Sequence, residues 1–178
     1  LTSTNNDPNI SMPNLGSFAA STYKYINIRY KTNSSTGVQI YYSKNTTNSD
    51  LSESQVVKGT YNNNGSWNII SLDMSSSANW TGTINGWRFD WATTNAATVE
   101  IDFISLSKYP IIAQGTSITV SPTVNTTYAT KIKGYCNNTA CKSATVTVTP
   151  QIVAPVLNVK TPNAASVCAG TNVNATIT

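Results

Sequence analysis

The sequence predicts an all-β protein built as a β-sandwich or jelly roll, and three observations carry this reading. Apolar and polar side chains alternate with a period of two in several short runs. Clusters of Asn, Ser, Thr and Gly separate those runs. No segment shows the 3.6-residue period of an amphipathic helix. Because successive side chains of a strand point to opposite faces, each run divides into a candidate core face and a candidate solvent face.

Taken in order, YKYINIRYK (Tyr23 to Lys31) sets Ile26, Ile28 and Tyr30 against Tyr25, Asn27 and Arg29. The run VQIYYS sets Val38, Ile40 and Tyr42 against Gln39 and Tyr41. WNIISLDM (Trp67 to Met74) is apolar on both sides at its centre and reads as a buried strand. GWRFDW places Trp87, Phe89 and Trp91 on one face and Arg88 and Asp90 on the other. VEIDFISL (Val99 to Leu106) is the last run of this type. The gaps NSSTG, KNTTNSD, YNNNGS and TTNAA hold turn residues. After Lys108 the texture becomes rich in Thr and Val, with strands expected in SITVSP, TTYATKIKGY and SATVTVTP. VAPVLNVKTPN, with Pro150, Pro155 and Pro162 spaced around it, reads as a linker before a fresh start at SVCAGTNVNATIT. The expected domains are therefore 1–108, 109–150 and 151–178.

Composition excludes several function classes. Only 10% of the 178 residues are charged, against about 25% in typical soluble domains. Asn, Ser and Thr, at roughly 40% of the chain, supply the polar surface instead. The net charge of +4 is spread over isolated Lys and Arg residues, not gathered into a stripe, so neither nucleic acid nor a membrane surface is the expected partner. No run reaches the roughly 20 apolar residues of a membrane span. The absence of histidine removes His-based metal sites and Ser-His or Cys-His catalysis. Three cysteines are too few for a disulfide scaffold. Eight Asn-x-Ser/Thr sequons are close to the number this composition produces by chance and carry no argument.

The series DPNI, YKYINIRYK, GVQIYYS, WNIISLDM, WTGTINGWRFDW and IDFISLS, over residues 5 to 108, resembles the later strands of galactose-binding-like jelly rolls. Those domains serve as carbohydrate-binding and surface modules in secreted bacterial proteins. The resemblance implies that strands preceding DPNI are absent from this sequence. SITVSPTVNTTYATKIKGYCNNTACKSATVTVTP resembles the second half of the immunoglobulin-like repeats of large secreted Bacteroidota proteins, and SVCAGTNVNATIT resembles the opening of the next repeat. That implies an opening half absent near residue 108, an exported multi-repeat protein at the outer surface of a bacterium, and the type IX secretion route.

Several residues are candidates for function, each with a structural alternative. Asn27, Arg29, Gln39, Tyr41, Arg88 and Asp90 point away from the expected core. If their strands share a sheet, they form a flat patch of donors, a carboxylate and an aromatic face suited to sugars; the alternative is a salt bridge within the sheet. Trp87 and Phe89 belong to the core. Trp91, at its strand end, is either core or an exposed rim. Trp67, Trp80 and Tyr61, at strand starts or in turns, either stack on a sugar ring or complete the core. The resemblance implies a structural calcium held by carboxylates at the place of Glu100 and Asp102. Cys136 and Cys141 are candidates for a disulfide closing a tight loop in an exported chain, with Cys168 paired elsewhere.

These residues lead to a non-enzymatic fragment of a cell-surface adhesin or scaffold. Its expected partners are glycans or other surface proteins, beside neighbouring domains of its own chain. Two alternatives stand: a targeting module for a secreted polysaccharide-degrading enzyme, and a stalk or fibre subunit that binds no ligand.

Overall fold

The computed structural model describes residues 1–131, 140–149, 157–161 and 174–177. Two compact units divide the chain, Leu1–Ile118 and Thr119–Thr178. The first contains strands β1 (Asn9–Ala19), β2 (Tyr25–Thr32), β3 (Gly37–Ser43), β4 (Val56–Thr60), β5 (Trp67–Asp73), β6 (Thr83–Asp90) and β7 (Val99–Ser107). Single 3-10 turns, Ala20–Thr22 and Met74–Ser76, are its helical elements. The expected all-β class is what the chain adopts.

The seven strands form two antiparallel sheets, one ordered β1-β6-β3-β4 and the other β5-β2-β7. Their facing sides enclose one core, so this unit is a β-sandwich. Ile26, Ile28 and Tyr30 of β2 meet Val38, Ile40 and Tyr42 of β3 and Trp87 and Phe89 of β6, all buried. These are the alternate positions that the period-two pattern assigns to the interior. On β6 the alternation breaks between Ile84, also buried, and Trp87. There β1 shifts register between Pro13 and Phe18, and Pro13 supplies no N–H to a ladder.

Trp80 and Tyr61 are core residues, not rim platforms. The Trp80 indole N–H is shared between the carbonyls of Ala20 and Tyr23 at 3.1 and 3.0 Å, and its ring meets Tyr42 edge-on at 4.9 Å. The Tyr61 ring lies 4.2 Å from that of Tyr30. Trp91 is 6% exposed and joins the same cluster, which removes it as a rim contact.

Three expectations about elements need correction. WNIISLDM forms β5, an edge strand whose side chains are mostly half-exposed, because the three-stranded sheet ends there. Its apolar centre marks a margin, not a buried strand. SITVSP forms no strand; none lies between Ser107 and Thr126. VLNVKT within the expected linker contains strand β10 (Leu157–Thr161), paired antiparallel with β11 (Asn174–Ile177). The segment after β7 stays with the first compact unit as far as Ile118. One reason is local: the Ile111 N–H donates to Asn27 Oδ1 and Ser71 Oγ, both at 3.1 Å, and the Ile111 carbonyl accepts from Ser71.

The second unit contains the hairpin of β8 (Thr126–Thr130) and β9 (Lys142–Val146), besides β10 and β11. Nearly every residue of β8 and β9 is exposed. A two-stranded hairpin with no buried face is marginal by itself. The expected Cys136–Cys141 disulfide involves a residue outside those described, as does the expected role of Cys168; Cys141 is exposed.

Candidate functional site

The outer face of the four-stranded sheet carries the most organised polar cluster of the first unit. Strand pairing builds it: Gln39 stands opposite Asp90, and Tyr41 opposite Arg88, on β3 and β6. Directly opposed residues on one face of an antiparallel pair hold their Cβ atoms about 5 Å apart. Arg88 therefore reaches Tyr41 without extending into solvent, and its guanidinium carbon lies 4.4 Å from the ring centroid. That cation–π contact fixes the plane of the guanidinium.

Asp90 fixes its orientation. Arg88 Nε donates to Asp90 Oδ1 at 2.8 Å, and Nη2 donates to Oδ2 at 2.6 Å. Nη2 also donates to Asp7 Oδ1 at 3.2 Å, bringing the loop before β1 over the sheet. Tyr41 donates its hydroxyl proton to Glu53, with Gln39 Oε1 sharing it at 3.2 Å, and Lys58 anchors the other Glu53 oxygen at 2.8 Å. Asp7, Gln39, Tyr41, Glu53 and Arg88 line an open groove of about 510 Å³. Small-molecule sites commonly fall in this size range.

The electrostatics follow from burial and pairing. Asp90 is inaccessible to solvent, and burial pushes its carboxyl above the usual range while Arg88 opposes that rise. Hydrogen bonds to Asp90 hold Arg88 more firmly ionised than a free arginine. Burial, then the bond to Glu53, pushes the Tyr41 hydroxyl up to about 12. The hydrogen bonds of Lys58 and Tyr41 hold Glu53 below the ordinary range. The groove is lined by the carboxylates Asp7 and Glu53 and the cation Arg88, so its fixed charge does not favour an anion.

What faces a ligand is correspondingly limited. A guanidinium has five N–H donors; three are committed, which leaves the two of Nη1 with no partner among the described residues. Since Gln39 Oε1 already accepts from Tyr41, its amide nitrogen is the group left to donate. Asp7 Oδ2 and the Ser52 hydroxyl add acceptors at the rim.

The expected single patch is thus divided. Gln39, Tyr41, Arg88 and Asp90 come together, but Asp90 is sealed beneath Arg88 and makes no surface contact. Arg29 lies on the outer face of the other sheet, on the far side of the sandwich, because β2 pairs with β5 and β7 and not with β3. Asn27 also points outward there, yet it is buried under Ile111. Glu100 and Asp102, the carboxylates expected to hold calcium, are each paired with a cation. Lys31 Nζ lies 2.9 Å from Glu100 Oε1 and Arg29 Nη1 lies 2.7 Å from Asp102 Oδ2.

Asp7 and Glu53 belong to the groove although no sequence pattern singled them out. Both sit in loops, where period-two reasoning has no face to assign. No protein family, curated protein or solved structure matches this chain. Among the described residues, no helix is long and apolar enough to cross a membrane.

Proposed function

We propose that this chain is a non-catalytic binding module, and that the groove of Gln39, Tyr41 and Arg88 recognises glycans weakly. The observation that carries the reading is the double anchoring of Arg88. Asp90 and Tyr41 hold the guanidinium in one orientation beside the groove that Arg88 lines and leave Nη1 without a partner among the described residues, which is the preorganisation that a contact to neighbouring hydroxyls requires. The Gln39 amide and Asp7 supply a further donor and acceptor at fixed positions. A non-enzymatic role agrees with the state of the carboxylates. Asp90 is bound to Arg88, and Glu53 to Tyr41 and Lys58, so neither stands ready as a general acid or base.

In this proposal the chain is part of an exported surface adhesin or scaffold, where many weak sites on one chain gain effective concentration. The ligand-free structural reading is favoured by one observation, that every charged side chain of the groove already has a partner.

A glycan array followed by titration calorimetry on the whole chain decides between them. Gln39→Ala and the paired change Arg88→Ala with Asp90→Ala should each weaken binding at least about tenfold, or 1.4 kcal/mol. The paired change avoids leaving a buried carboxylate alone. Binding of equal strength by both variants, or no binding to any glycan, defeats the groove as a glycan site.

A further inference from the structure

The opposite face of the sandwich carries a separate arrangement centred on Trp67. Of the four tryptophans, Trp80, Trp87 and Trp91 are at most 7% exposed, whereas Trp67 is 42% exposed. It opens β5 directly across from Lys31 of β2. The Arg29 guanidinium lies 4.5 Å from its ring centroid and the Lys31 ammonium 6.0 Å. Neither cation is loose, since Asp102 holds Arg29 at 2.7 Å and Glu100 holds Lys31 at 2.9 Å. The indole is therefore an exposed ring held in place by two cations, each tethered by a carboxylate on β7.

We propose that Trp67, with Asp102 and Glu100, forms a second sugar-binding platform for an uncharged pyranose unit. Three features select that ligand. An indole offers apolar surface for the C–H face of a sugar ring. Its Nε1–H has no partner among the described residues, so it can donate to a ring hydroxyl. Asp102 Oδ1 and Glu100 Oε2, the oxygens not engaged by Arg29 and Lys31, accept from neighbouring hydroxyls. The charges of the platform cancel, two cations against two carboxylates. An acidic sugar or a nucleic acid would find no excess positive charge to bind.

The inference extends the glycan reading but uses a different face and different residues, so each site is tested separately. Titration of the whole chain with neutral gluco-, galacto-, manno- and xylo-configured oligosaccharides, and with polygalacturonate as the acidic probe, supplies the test. Because the other three tryptophans are buried, a change in indole emission reports on Trp67. At least one neutral oligosaccharide should shift the emission. Trp67→Ala should weaken its binding about tenfold, Trp67→Phe should retain most of it, and Gln39→Ala should leave the emission shift intact. No emission shift with any neutral probe overturns the platform. So does unchanged affinity in a folded Trp67→Ala variant, or a preference for polygalacturonate. Binding lost in Gln39→Ala but kept in Trp67→Ala overturns the platform and leaves the groove standing; the converse result does the opposite.

Discussion

Tyr41 and Arg88 stand opposite each other on adjacent antiparallel strands, and the guanidinium of one lies 4.4 Å from the ring centre of the other. Arg88 is at the same time the lid over Asp90, a carboxylate with no solvent access. The residue best placed to touch a ligand is therefore also one the fold depends on.

Removing Arg88 alone should destabilise the protein. Arg88→Ala leaves Asp90 buried and uncompensated, a change that costs about 3–5 kcal/mol in comparable buried pairs. Replacing both residues by apolar ones should cost much less, since no orphaned charge remains. Urea unfolding of the two variants checks this, and equal stability of both would mean that water solvates Asp90 in the single variant.

Asn27 should anchor the segment that follows β7. Its side chain accepts from Ser71 Oγ at 2.6 Å and from the Ile111 N–H at 3.1 Å, and donates to Ser107 Oγ at 2.7 Å. Asn27→Ala strips partners from three groups in a buried setting, at a cost of about 1–3 kcal/mol. Hydrogen exchange at the Ile111 amide should rise in this variant well before the β2 core amides respond. Unchanged protection there would show that Ile111 is held by other contacts.

A side chain at Gly65 should be strained by the backbone. It adopts φ +69°, and a Cβ would lie 2.3 Å from Asn33 Oδ1. Its amide also donates to the Thr32 carbonyl at 2.9 Å, closing the turn that leads into β5. Gly65→Ala should lower stability by at least about 1–2 kcal/mol from the backbone conformation alone. A thermal melt within a degree of the parent would contradict this.

Alkaline unfolding should begin near pH 10. The folded Tyr41 hydroxyl is pushed up to about 12 from an ordinary 10, and burial raises Tyr42 and Tyr61 as well. A raised folded pKa contributes stability in full below the unfolded value and loses it as pH climbs through the folded one. On the acid side Asp50, Asp73 and Glu53 are held low. For Asp50 and Asp73 burial pushes upward, but hydrogen bonds from Ser43 and Ser75 and their neighbours outweigh it. For Glu53 the bonds from Lys58 and Tyr41 dominate. Their contribution is present above about pH 4 and lost as pH falls through the folded values. No histidine titrates between these limbs, but Asp90, held above the usual carboxylate range by burial, adds a slope of the opposite sign to the acid limb, losing stability as pH rises through its folded value. Melting curves alongside tyrosinate absorbance test both, and free titration of all tyrosines at pH 10 in the folded protein would refute the alkaline limb.

The sequence by itself determined the class of the fold and the inside of the sandwich. Ile26, Ile28 and Tyr30, Val38, Ile40 and Tyr42, and Trp87 and Phe89 are buried as their alternation requires, because a strand with one apolar face has only one side to bury. What alternation cannot express is which strands become neighbours. Arg29 and Arg88 occupy equivalent outward positions in their runs, yet strand order places them on opposite sides of the molecule. Outward is also not the same as exposed. Asp90 and Asn27 point away from the core and are still sealed, one by an arginine two residues away and the other by a backbone arriving from Ile111. Trp67 and Trp80 read alike as aromatics beside turns. Only the packing of distant residues separated them, since Trp80 finds two backbone carbonyls and a tyrosine ring while Trp67 finds two tethered cations and solvent. Local pattern decides which way a side chain faces; the tertiary structure decides what it meets there, because contacts between strands far apart in sequence leave no local signature.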